Sequence, residues 1–415
     1  MPNHWITTIL LLGVAVIGSN SLVLSPILTD VATDLGTTSV AVARSMAAYG
    51  GATALSALFL APAIDRYGPR IILLLGGLCL TVAMIGSALS PSWTLLALAQ
   101  AMAGLAAGVM LPAIYAVATT TGSEKEGVRI LGRVLVGWSV SLIAGVPLSA
   151  LIADSFGWRV SFLSLAALVA ASLVGFRLLP RPSRDTAPKP AGRFLGAVGI
   201  PGIAALLAAQ FFFMTAFYGT YAFFGDHLRT SLELTVRMAG LAVLTYGIGF
   251  GIAAFADPVV DRLGPARILP FAMLFVAAVY FILPVMVTWL AGALAAAFIW
   301  GFANHFVLNT LVLRLSQLGG RQRGTVLGLN SAVTYFGALA GALILGDVYG
   351  HWGFRGLTWA AGASVLLALP AVLSVGRHAG GANRCGESNR GGVDITAAPR
   401  GDPAAKRVRT NRNQV

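Results

Sequence analysis

The sequence has few charged residues. They make up 10% of the chain, whereas soluble domains average about 25%. The polar surface is too small to coat a globule in water, so a lipid bilayer is the environment that fits this composition. Cysteine is nearly absent as well. Cys79 lies in an apolar run and Cys385 in the C-terminal tail, so no disulfide framework is expected.

Patterns typical of enzymes are also missing. No cluster of His, Cys or carboxylate residues has metal-ligand spacing, and no phosphate-binding glycine loop occurs. We therefore expect no enzyme activity, no cofactor and no metal. A net charge of +13 would suggest a nucleic-acid partner for a soluble protein. Here the basic residues lie between apolar runs, so they favour membrane orientation and argue against nucleic acid.

The sequence is rich in apolar runs of roughly 20 residues, each long enough to cross about 30 Å of hydrocarbon. A polar, basic stretch divides these runs into two sets of six. We predict spans near 5–27, 40–62, 70–90, 93–119, 130–153, 158–179, 197–223, 235–256, 267–287, 289–314, 323–346 and 355–375.

The two sets of runs are copies of one unit. Residues 62–69 and 258–265 follow the same pattern, with five of eight positions identical at a spacing of 196 residues. The same spacing relates Gly157 to Gly353. Such a repeat predicts two parallel bundles related by an axis along the membrane normal.

The predicted domains follow from this repeat. They are a first six-helix bundle (1–179), a cytoplasmic basic linker (180–196), a second bundle (197–375) and a disordered basic tail (376–415). Most of the 28 basic residues fall on one side of the predicted membrane, and the positive-inside rule makes that side cytoplasmic. We therefore predict a multi-pass protein of a bacterial inner membrane with both termini in the cytoplasm.

The repeated pattern resembles the signature of a known family. Asp65, Arg66, Gly68 and Arg70 follow the second span and are similar to the G-x-L-a-D-R-x-G-r-R motif of the major facilitator superfamily. A weaker copy occurs where that family carries it, at Asp261, Arg262 and Gly264. The resemblance implies that these seven residues form a conformational switch that clamps two bundles in one state. Locally, Gly68 permits a turn and Pro69 stops the preceding helix.

A second motif narrows the resemblance. Gly145 and Pro147 in the fifth span, followed by Gly157-Trp158-Arg159, are similar to the antiporter motif of the twelve-span drug and sugar efflux branch. The resemblance implies an all-α membrane protein with twelve transmembrane helices in two pseudo-symmetric six-helix bundles. Glycine and proline here bring backbones together and bend the helix, which suits the seam between bundles. Ordinary small-residue packing is the alternative.

Polar and aromatic residues at predicted mid-membrane depth are candidates for substrate binding, because substrate sites of this architecture lie there. Amides among aromatic rings suit a neutral or cationic amphipathic solute or a sugar. Hydrogen bonding between helices is the alternative for each of them. The candidates are Asn20, Gln210, Phe217, Tyr221, Tyr246, Asn304, His305, Asn309 and Asn330.

His305 is the predicted proton carrier because histidine is the side chain that ordinarily changes charge near neutral pH, and this one is predicted near the bilayer centre. A neutral histidine bonded to a neighbouring helix is the alternative. No carboxylate is predicted at mid-depth, and Gln100 replaces the arginine that the resembled family often has in the fourth span. Arg44 is the second candidate for proton coupling. It could attract an anionic substrate group, or lie at the interface and pair with Asp30 or Asp34.

These features together predict a secondary transporter that exports a small amphipathic compound, drug-like or sugar-like, against protons. Uptake of a small nutrient by the same fold is one alternative, and a non-transporting receptor or scaffold is another. The expected partners are a small-molecule substrate, protons and the lipid bilayer, and the expected state is a monomer.

Overall fold

The computed structural model describes residues 4–60, 62–179 and 194–388, and every regular element within these ranges is helical. The first half of the chain contains α1 (His4–Leu22), α2 (Leu24–Asp34), α3 (Ser39–Phe59), α4 (Pro62–Tyr67), α5 (Pro69–Ala88), α6 (Trp93–Thr120), α7 (Glu124–Val140), α8 (Val146–Phe156) and α9 (Trp158–Leu178).

The second half contains α10 (Phe194–Val198), α11 (Ile203–Leu232), α12 (Val236–Ala253), α13 (Asp257–Leu263), α14 (Pro265–Met286), α15 (Leu290–Gly319), α16 (Arg323–Ala340) and α17 (Gly346–Ser388). Short 3-10 turns precede α13 and α16. A π-helical turn joins α7 to α8 and another joins α16 to α17, at Ser141–Gly145 and Gly341–Leu345.

Local side-chain hydrogen bonds mark where several helices begin. The hydroxyl groups of Thr38, Ser92, Ser123 and Thr235 accept bonds from the backbone N–H three residues ahead, at the starts of α3, α6, α7 and α12. Each bond satisfies one of the N–H groups that a helix leaves unpaired at its first turn.

Ten helical segments in the described ranges are long and apolar enough to cross a membrane. One is a stretch of 53 residues from Arg323 to Val375, which turns at Gly353 (φ 63°). Helix α3 is not among the ten, and it carries several serines and Arg44. We interpret the helices as the twelve predicted crossings, with α3 counted and the long stretch divided at Gly353.

The backbone repeats the internal symmetry that the sequence predicts. Gly68 (φ 81°) and Gly264 (φ 85°) turn the chain at equivalent positions, and so do Gly157 (φ 89°) and Gly353 (φ 63°). These left-handed conformations favour glycine because it has no Cβ. Pro69 and its equivalent each open the next helix, where proline is well tolerated. Pro69 therefore begins α5, while the preceding helix already ends before Gly68.

Helix packing repeats as well. A Cβ at Gly104 would overlap the backbone oxygen of Tyr49, and a Cβ at Gly301 would overlap that of Tyr246. These contacts join α3 to α6 and α12 to α15, the same pair of spans in each half. Ser25 donates a hydrogen bond to the backbone oxygen of Tyr221, 196 residues away. Equivalent residues can touch only near the axis that relates two copies, so this bond places α2 and α11 beside that axis.

The halves are held together at one end of the molecule. Helices α2, α3 and α8 of the first half contact α11, α16 and α12 of the second. We call the end that carries Asp226 the Asp226 end, and the opposite end, formed by α4 and α13, the Asp65 end. In the described parts of the chain, the hydrogen bonds between halves run from the middle of the molecule to the Asp226 end.

Two of the predicted domains, the linker and the tail, lie partly outside the residues that the structure describes. Most of the predicted linker (residues 180–193) and the end of the tail (residues 389–415) lie outside the described residues. The chain forms one compact unit up to Gly376 and a second from Arg377. Helix α17 is continuous to Ser388, beyond the predicted bundle boundary at residue 375. Disorder of the remaining tail stays a prediction.

Candidate functional site

Four aromatic rings meet at the middle of the second half. Phe217 on α11 stacks on Tyr246 of α12 at 5.8 Å between ring centroids, and it lies 5.5 Å from Tyr221 and 5.9 Å from Trp300 of α15. Tyr246 and Trp300 make an edge contact at 4.9 Å. We call these four residues the aromatic cluster. The spacing of four residues places Phe217 and Tyr221 on one face of α11.

Polar atoms without partners accompany the aromatic cluster. The Nδ2 of Asn304 donates to the Tyr246 hydroxyl at 3.0 Å. The Oδ1 of Asn304 and the hydroxyl of Tyr221 are buried and have no hydrogen-bond partner within the described residues. Leaving such groups unpaired costs on the order of 1–3 kcal/mol each. A ligand that supplied the missing donor and acceptor would therefore gain both bonds.

His305 has a carboxylate partner. Its Nε2 lies 2.9 Å from Oδ1 of Asp257, and the Nδ2 of Asn309 donates to the same oxygen at 2.7 Å. The His305 side chain is 11% exposed and that of Asp257 is 37% exposed, so the pair is shielded on the histidine side and open on the carboxylate side. The ring of Phe250 packs edge-on against His305 at 5.0 Å.

Asp257 lies further inside a helical span than the predicted boundary at residue 256 implies, while the absence of a carboxylate at mid-depth stays a prediction. The sequence pattern ends the eighth span at residue 256, because Asp257 and Pro258 resemble the start of a loop. In the structure, a 3-10 turn and α13 extend this helical span to Leu263. Asp257 consequently lies about two helical turns inside the end of the span, within reach of α15.

The predicted substrate residues divide into separate groups. Phe217, Tyr221, Tyr246 and Asn304 come together, and His305 and Asn309 follow them along α15. Gln210 lies at the contact between α11 and α16, where its Nε2 donates to Thr334 at 2.9 Å. Asn20 lies in the first half and donates to Gln100 at 3.1 Å. Gln100 in turn donates to Ser87 at 2.9 Å.

Two further polar groups among these candidates keep an unpaired oxygen. The Oε1 of Gln210 and the Oδ1 of Asn330 on α16 are buried without a partner in the described chain. Neither residue contacts the aromatic cluster through a ring interaction or a hydrogen bond that the structure records. They line the α11–α16 side of the second half, apart from Asn304.

Trp300 and Asp257 are functional candidates that the sequence reasoning missed. Tryptophan usually anchors helices at the membrane interface, so a tryptophan in the middle of the tenth span was a usable signal. Asp257 could have been found from the helix-compatible residues that follow it, since Pro258 is well placed in a first helical turn.

Arg44 does not form either of its predicted ion pairs. Asp30 pairs with Arg229 at 2.7 Å, and Asp34 pairs with Arg159. The guanidinium of Arg44 instead lies 6.0 Å from the ring centroid of Trp93. It lines an open cleft of about 770 Å³ at the Asp226 end. Arg44 is therefore remote from His305, which is at the other side of the aromatic cluster.

The predicted switch residues lie at the Asp65 end. Asp65, Arg66 and Asp261 are exposed, and neither carboxylate forms an ion pair within the described residues. Arg66 stacks on its neighbour Tyr67 at 5.3 Å. Arg70 donates to the backbone oxygen of Arg177, which joins α5 to α9 inside the first half. Arg262 is exposed as well, while Gly264 provides the turn into α14.

The two antiporter-motif residues face different neighbours. Gly145 ends a π-helical turn, a feature frequent at functional sites, and a Cβ there would overlap the Ser19 hydroxyl of α1 in the same half. Pro147 opens α8, and its backbone is about 4 Å from the Cβ position of Gly240 on α12 in the other half. Pro147 therefore lies at the seam between halves, and the π-helical turn that Gly145 ends also contacts α12.

Sequence comparison identifies the family. The model of the Major Facilitator Superfamily matches residues 10–319 and 206–397. The chain therefore belongs to the Major Facilitator Superfamily, and it is a multi-pass membrane transporter.

Relatives match along most of the chain. The uncharacterized MFS-type transporter YwfA of Bacillus subtilis is 29% identical over 373 residues, 88% of this chain and 90% of YwfA. A chloramphenicol resistance protein of Streptomyces lividans is 26% identical over 369 residues, 87% of this chain and 93% of that protein. A probable sugar efflux transporter of Mannheimia succiniciproducens is 22% identical over 274 residues, 65% of this chain and 68% of that protein.

A solved structure has the same fold. It is a bacterial homologue of the human lysosomal transporter Spinster, in an inward-facing and unoccupied conformation. The TM-score is 0.72 at 15% identity, and the match covers 90% of this chain and 97% of the homologue.

Proposed function

We propose that this transporter exports a small amphipathic compound in exchange for protons. The observation that carries the proposal is the sequence neighbourhood of Asn304 and His305 on α15. Asn304 holds an unpaired amide oxygen beside the aromatic cluster, and the next residue, His305, faces Asp257. A solute at the first residue and a proton at the second would therefore act on the same helical turn.

The chemistry of the aromatic cluster favours a solute with an apolar body and a few hydrogen-bonding groups. The rings come from three helices and are mostly buried, and Phe217 is the partly exposed one, so a solute would stack first on Phe217. The free Asn304 oxygen and Tyr221 hydroxyl offer one acceptor and one further polar contact. The Streptomyces lividans relative is named a chloramphenicol resistance protein, and chloramphenicol is a solute of this character. The sugar efflux relative supports export as the direction.

Protonation of His305 supplies the physical coupling step. A protonated imidazole makes a charge-assisted bond to the Asp257 carboxylate, which is roughly twice as strong as a neutral one. The stronger bond would tighten α15 against α13, since these residues belong to those two helices. Binding in the cluster and protonation one residue away thus influence each other through the position of α15.

The inferred orientation and conformation fit export. The positive-inside rule places the Asp65 end in the cytoplasm. The halves are joined toward the Asp226 end, so the described conformation corresponds to a carrier open toward the cytoplasm. An exporter would load its solute in this conformation and would release a proton from His305 to the same side.

Transport by everted membrane vesicles tests the proposal. With the pH gradient acid inside, vesicles that contain the protein should accumulate labelled chloramphenicol, and a protonophore should abolish the accumulation. The variant His305→Ala should lose the response to the gradient. His351→Ala is the matched control, because His351 is exposed and bonds only to the backbone oxygen of Asp347 in its own helix.

Proton flux measured with several classes of solute tests the exchange mechanism separately from the identity of the substrate. Purified protein in liposomes is exposed to aromatic amides, organic cations and sugars while an internal dye reports proton flux. Proton flux with any of these classes supports exchange and identifies the class. Uptake by whole cells without accumulation in everted vesicles would instead support nutrient import, and no flux with any probe would contradict the proposal.

A further inference from the structure

A buried carboxylate lies at the Asp226 end, where the halves meet. Asp226 is 3% exposed, and no Lys, Arg or His in the described residues lies within ion-pair distance of it. A charge taken out of water is costly unless it is hydrogen-bonded or paired. The stability of the contact between the halves at this end therefore depends on which groups donate hydrogen bonds to the Asp226 carboxylate.

Three hydroxyl groups surround the Asp226 carboxylate. Thr29 of α2 and Ser39 of α3 donate to its Oδ1 at 2.8 and 2.5 Å. Tyr349 of α17 donates to its Oδ2 at 2.8 Å. The ring of Tyr349 stacks on Phe223 at 4.5 Å, which holds its hydroxyl in place. Ser39 is also the first residue of α3, and the positive end of the helix dipole favours a carboxylate there.

The donors come from both halves of the molecule. Thr29 and Ser39 belong to the first half, whereas Tyr349 and Asp226 belong to the second. When the halves separate at this end, Thr29 and Ser39 leave with α2 and α3, and Tyr349 stays with Asp226. The closed end is thus the arrangement in which protein groups from both halves satisfy this carboxylate.

The ion pair between Asp30 and Arg229 also joins the two halves at this end, but it contributes less to holding them together. Asp30 is 36% exposed where it meets Arg229, and exposed pairs are screened by water. The Nε and Nη1 groups of Arg229 are buried with no partner in the described chain, which offsets part of what the pair contributes.

We propose that Asp226 is the latch of the Asp226 end: its carboxylate binds the two halves together through the hydroxyl groups of Thr29 and Ser39. Opening of this end exchanges those hydroxyl groups for water. The inference rests on the alternating movement of the two halves, which is part of the proposed function, but it requires neither a particular solute nor protons.

Removal of the first-half donors gives a direct test. The double variant Thr29→Val, Ser39→Ala leaves the charge in place but takes away two of its hydrogen bonds when the end is closed. Because bonds to a charged group are among the stronger ones, the ratio of open to closed molecules should rise by at least about tenfold. The variant Asp226→Asn added to this background should reverse most of the shift, because no buried charge then lacks donors.

Distances between spin labels report the ratio. Labels at Phe156→Cys and Trp352→Cys span the Asp226 end, and labels at Tyr67→Cys and Leu263→Cys span the Asp65 end. All four sites are more than half exposed. The native Cys79 and Cys385 are first replaced by alanine. The donor variants should lengthen the first distance and shorten the second, without solute and at one fixed pH.

Thr33→Val is the matched control. Thr33 is exposed, lies one turn beyond Thr29 on α2, and bonds to the backbone oxygen of Thr29 within its own helix. It should leave both distances unchanged. The latch is overturned if the double variant Thr29→Val, Ser39→Ala leaves both distances unchanged. It is also overturned if this double variant shifts the distances equally in a protein that already carries Asp226→Asn. A shift in distances without transport of any probe would retain the latch and contradict the proposed function.

Discussion

At the scale of single residues, the His305–Asp257 contact is the most specific chemical feature of the molecule. Histidine is the side chain that ordinarily changes charge between pH 5 and 8, and here it meets a carboxylate at 2.9 Å. A proton on His305 creates an ion pair, and loss of the proton leaves a neutral hydrogen bond. The two states differ in how firmly α15 is held to α13.

Asp257→Asn and His305→Ala should both flatten the dependence of transport on pH. Either change removes the charge pair, so the rate should vary less than about twofold between pH 5.5 and 8, while binding of solute in the aromatic cluster persists. Initial rates at saturating solute measure this. Asp347→Asn, an exposed carboxylate at the other end of the molecule, is the control. A pH profile like that of the wild type would remove both residues from the coupling step.

Trp300→Ala should weaken binding of an aromatic solute. The indole is fully buried against Phe217, Tyr221 and Tyr246, so its loss leaves a cavity that lets these rings move out of the described geometry. The apparent affinity should therefore fall by about tenfold with little change in the maximal rate. Trp352→Ala, which removes a 73% exposed indole, should leave the affinity unchanged. Equal affinities in the two variants would place the solute elsewhere.

The Asp34–Arg159 pair should contribute a small, pH-dependent stabilisation. A hydrogen bond from the Arg159 guanidinium lowers the pKa of Asp34 below its ordinary value of 3.8, and a bond from Trp158 acts in the same direction. A lowered folded-state pKa stabilises the protein above the unfolded pKa and loses this effect as pH falls through the folded value.

Asp34→Asn therefore should lower the free energy of unfolding by at most about 1 kcal/mol at pH 7, since the side chains are 45% and 40% exposed. The difference from wild type should begin to shrink as pH falls below about 4 and should vanish once the pH is below the lowered folded-state pKa of Asp34. Thermal unfolding in detergent at several pH values measures it, with the exposed Asp347 changed to Asn as control. A difference that does not shrink as the pH is lowered from about 4 to about 2 would show that packing, and not charge, is affected.

At the scale of elements, close helix contacts depend on a few glycines. A Cβ at Gly301 would overlap the backbone of Tyr246, which brings α12 and α15 together beneath the aromatic cluster. Gly301→Ala should therefore destabilise the protein by about 1–3 kcal/mol and reduce solute affinity. Gly328→Ala is the matched control, because no atom lies within 4 Å of its Cβ position.

The control at Gly328 should be neutral or slightly stabilising, since alanine favours helix over glycine. Thermal unfolding and binding in detergent compare the two variants. Equal stability would mean that α12 moves away from α15 at little cost, and the cluster would then have a looser geometry than the described one.

The elements also show what sequence alone could predict. Apolar runs and the repeated turn located the helices well, because bilayer thickness and backbone satisfaction leave few alternatives. The pattern placed Phe217, Tyr221, Tyr246 and Asn304 at one depth, and the structure brings them together. It ended the eighth span at residue 256, whereas a 3-10 turn and α13 continue the helical segment to Leu263, because Pro258 is tolerated in a first helical turn.

Depth alone could not predict which helices face each other. Asn20 and Gln210 are at mid-depth by sequence, yet each bonds to a different neighbour away from the cluster. The predicted ion pairs of Arg44 were wrong for the same reason. Asp30 and Asp34 are near Arg44 in sequence, but in the structure they pair with Arg229 and Arg159. Contacts between distant parts of the chain decide such pairs.

At the scale of the whole molecule, the two ends differ in their contacts between halves. The Asp226 end is joined by hydrogen bonds, while Asp65 and Asp261 are exposed and unpaired in the described chain. A clamp role for Asp65 requires contacts that form when the Asp65 end closes. The residue should therefore influence movement between states more than stability of this one.

Asp65→Asn should reduce the rate of transport by at least about tenfold while expression and thermal stability stay within the range of the wild type. The expected cause is loss of the charge that would pair across the closing Asp65 end. Counterflow in liposomes together with thermal unfolding separates the two effects. Glu126→Gln, at the exposed start of α7, is the control. Normal counterflow in Asp65→Asn would contradict the clamp.

The aromatic cluster and the His305–Asp257 pair both belong to the half that follows residue 193, although that half is a copy of the other. In the proposed mechanism, one copy of the doubled unit therefore binds the solute and the proton, and the other copy moves against it. New solutes could be acquired by changes confined to half of the coding sequence. In a hybrid built from two such carriers, the later half would determine what is carried.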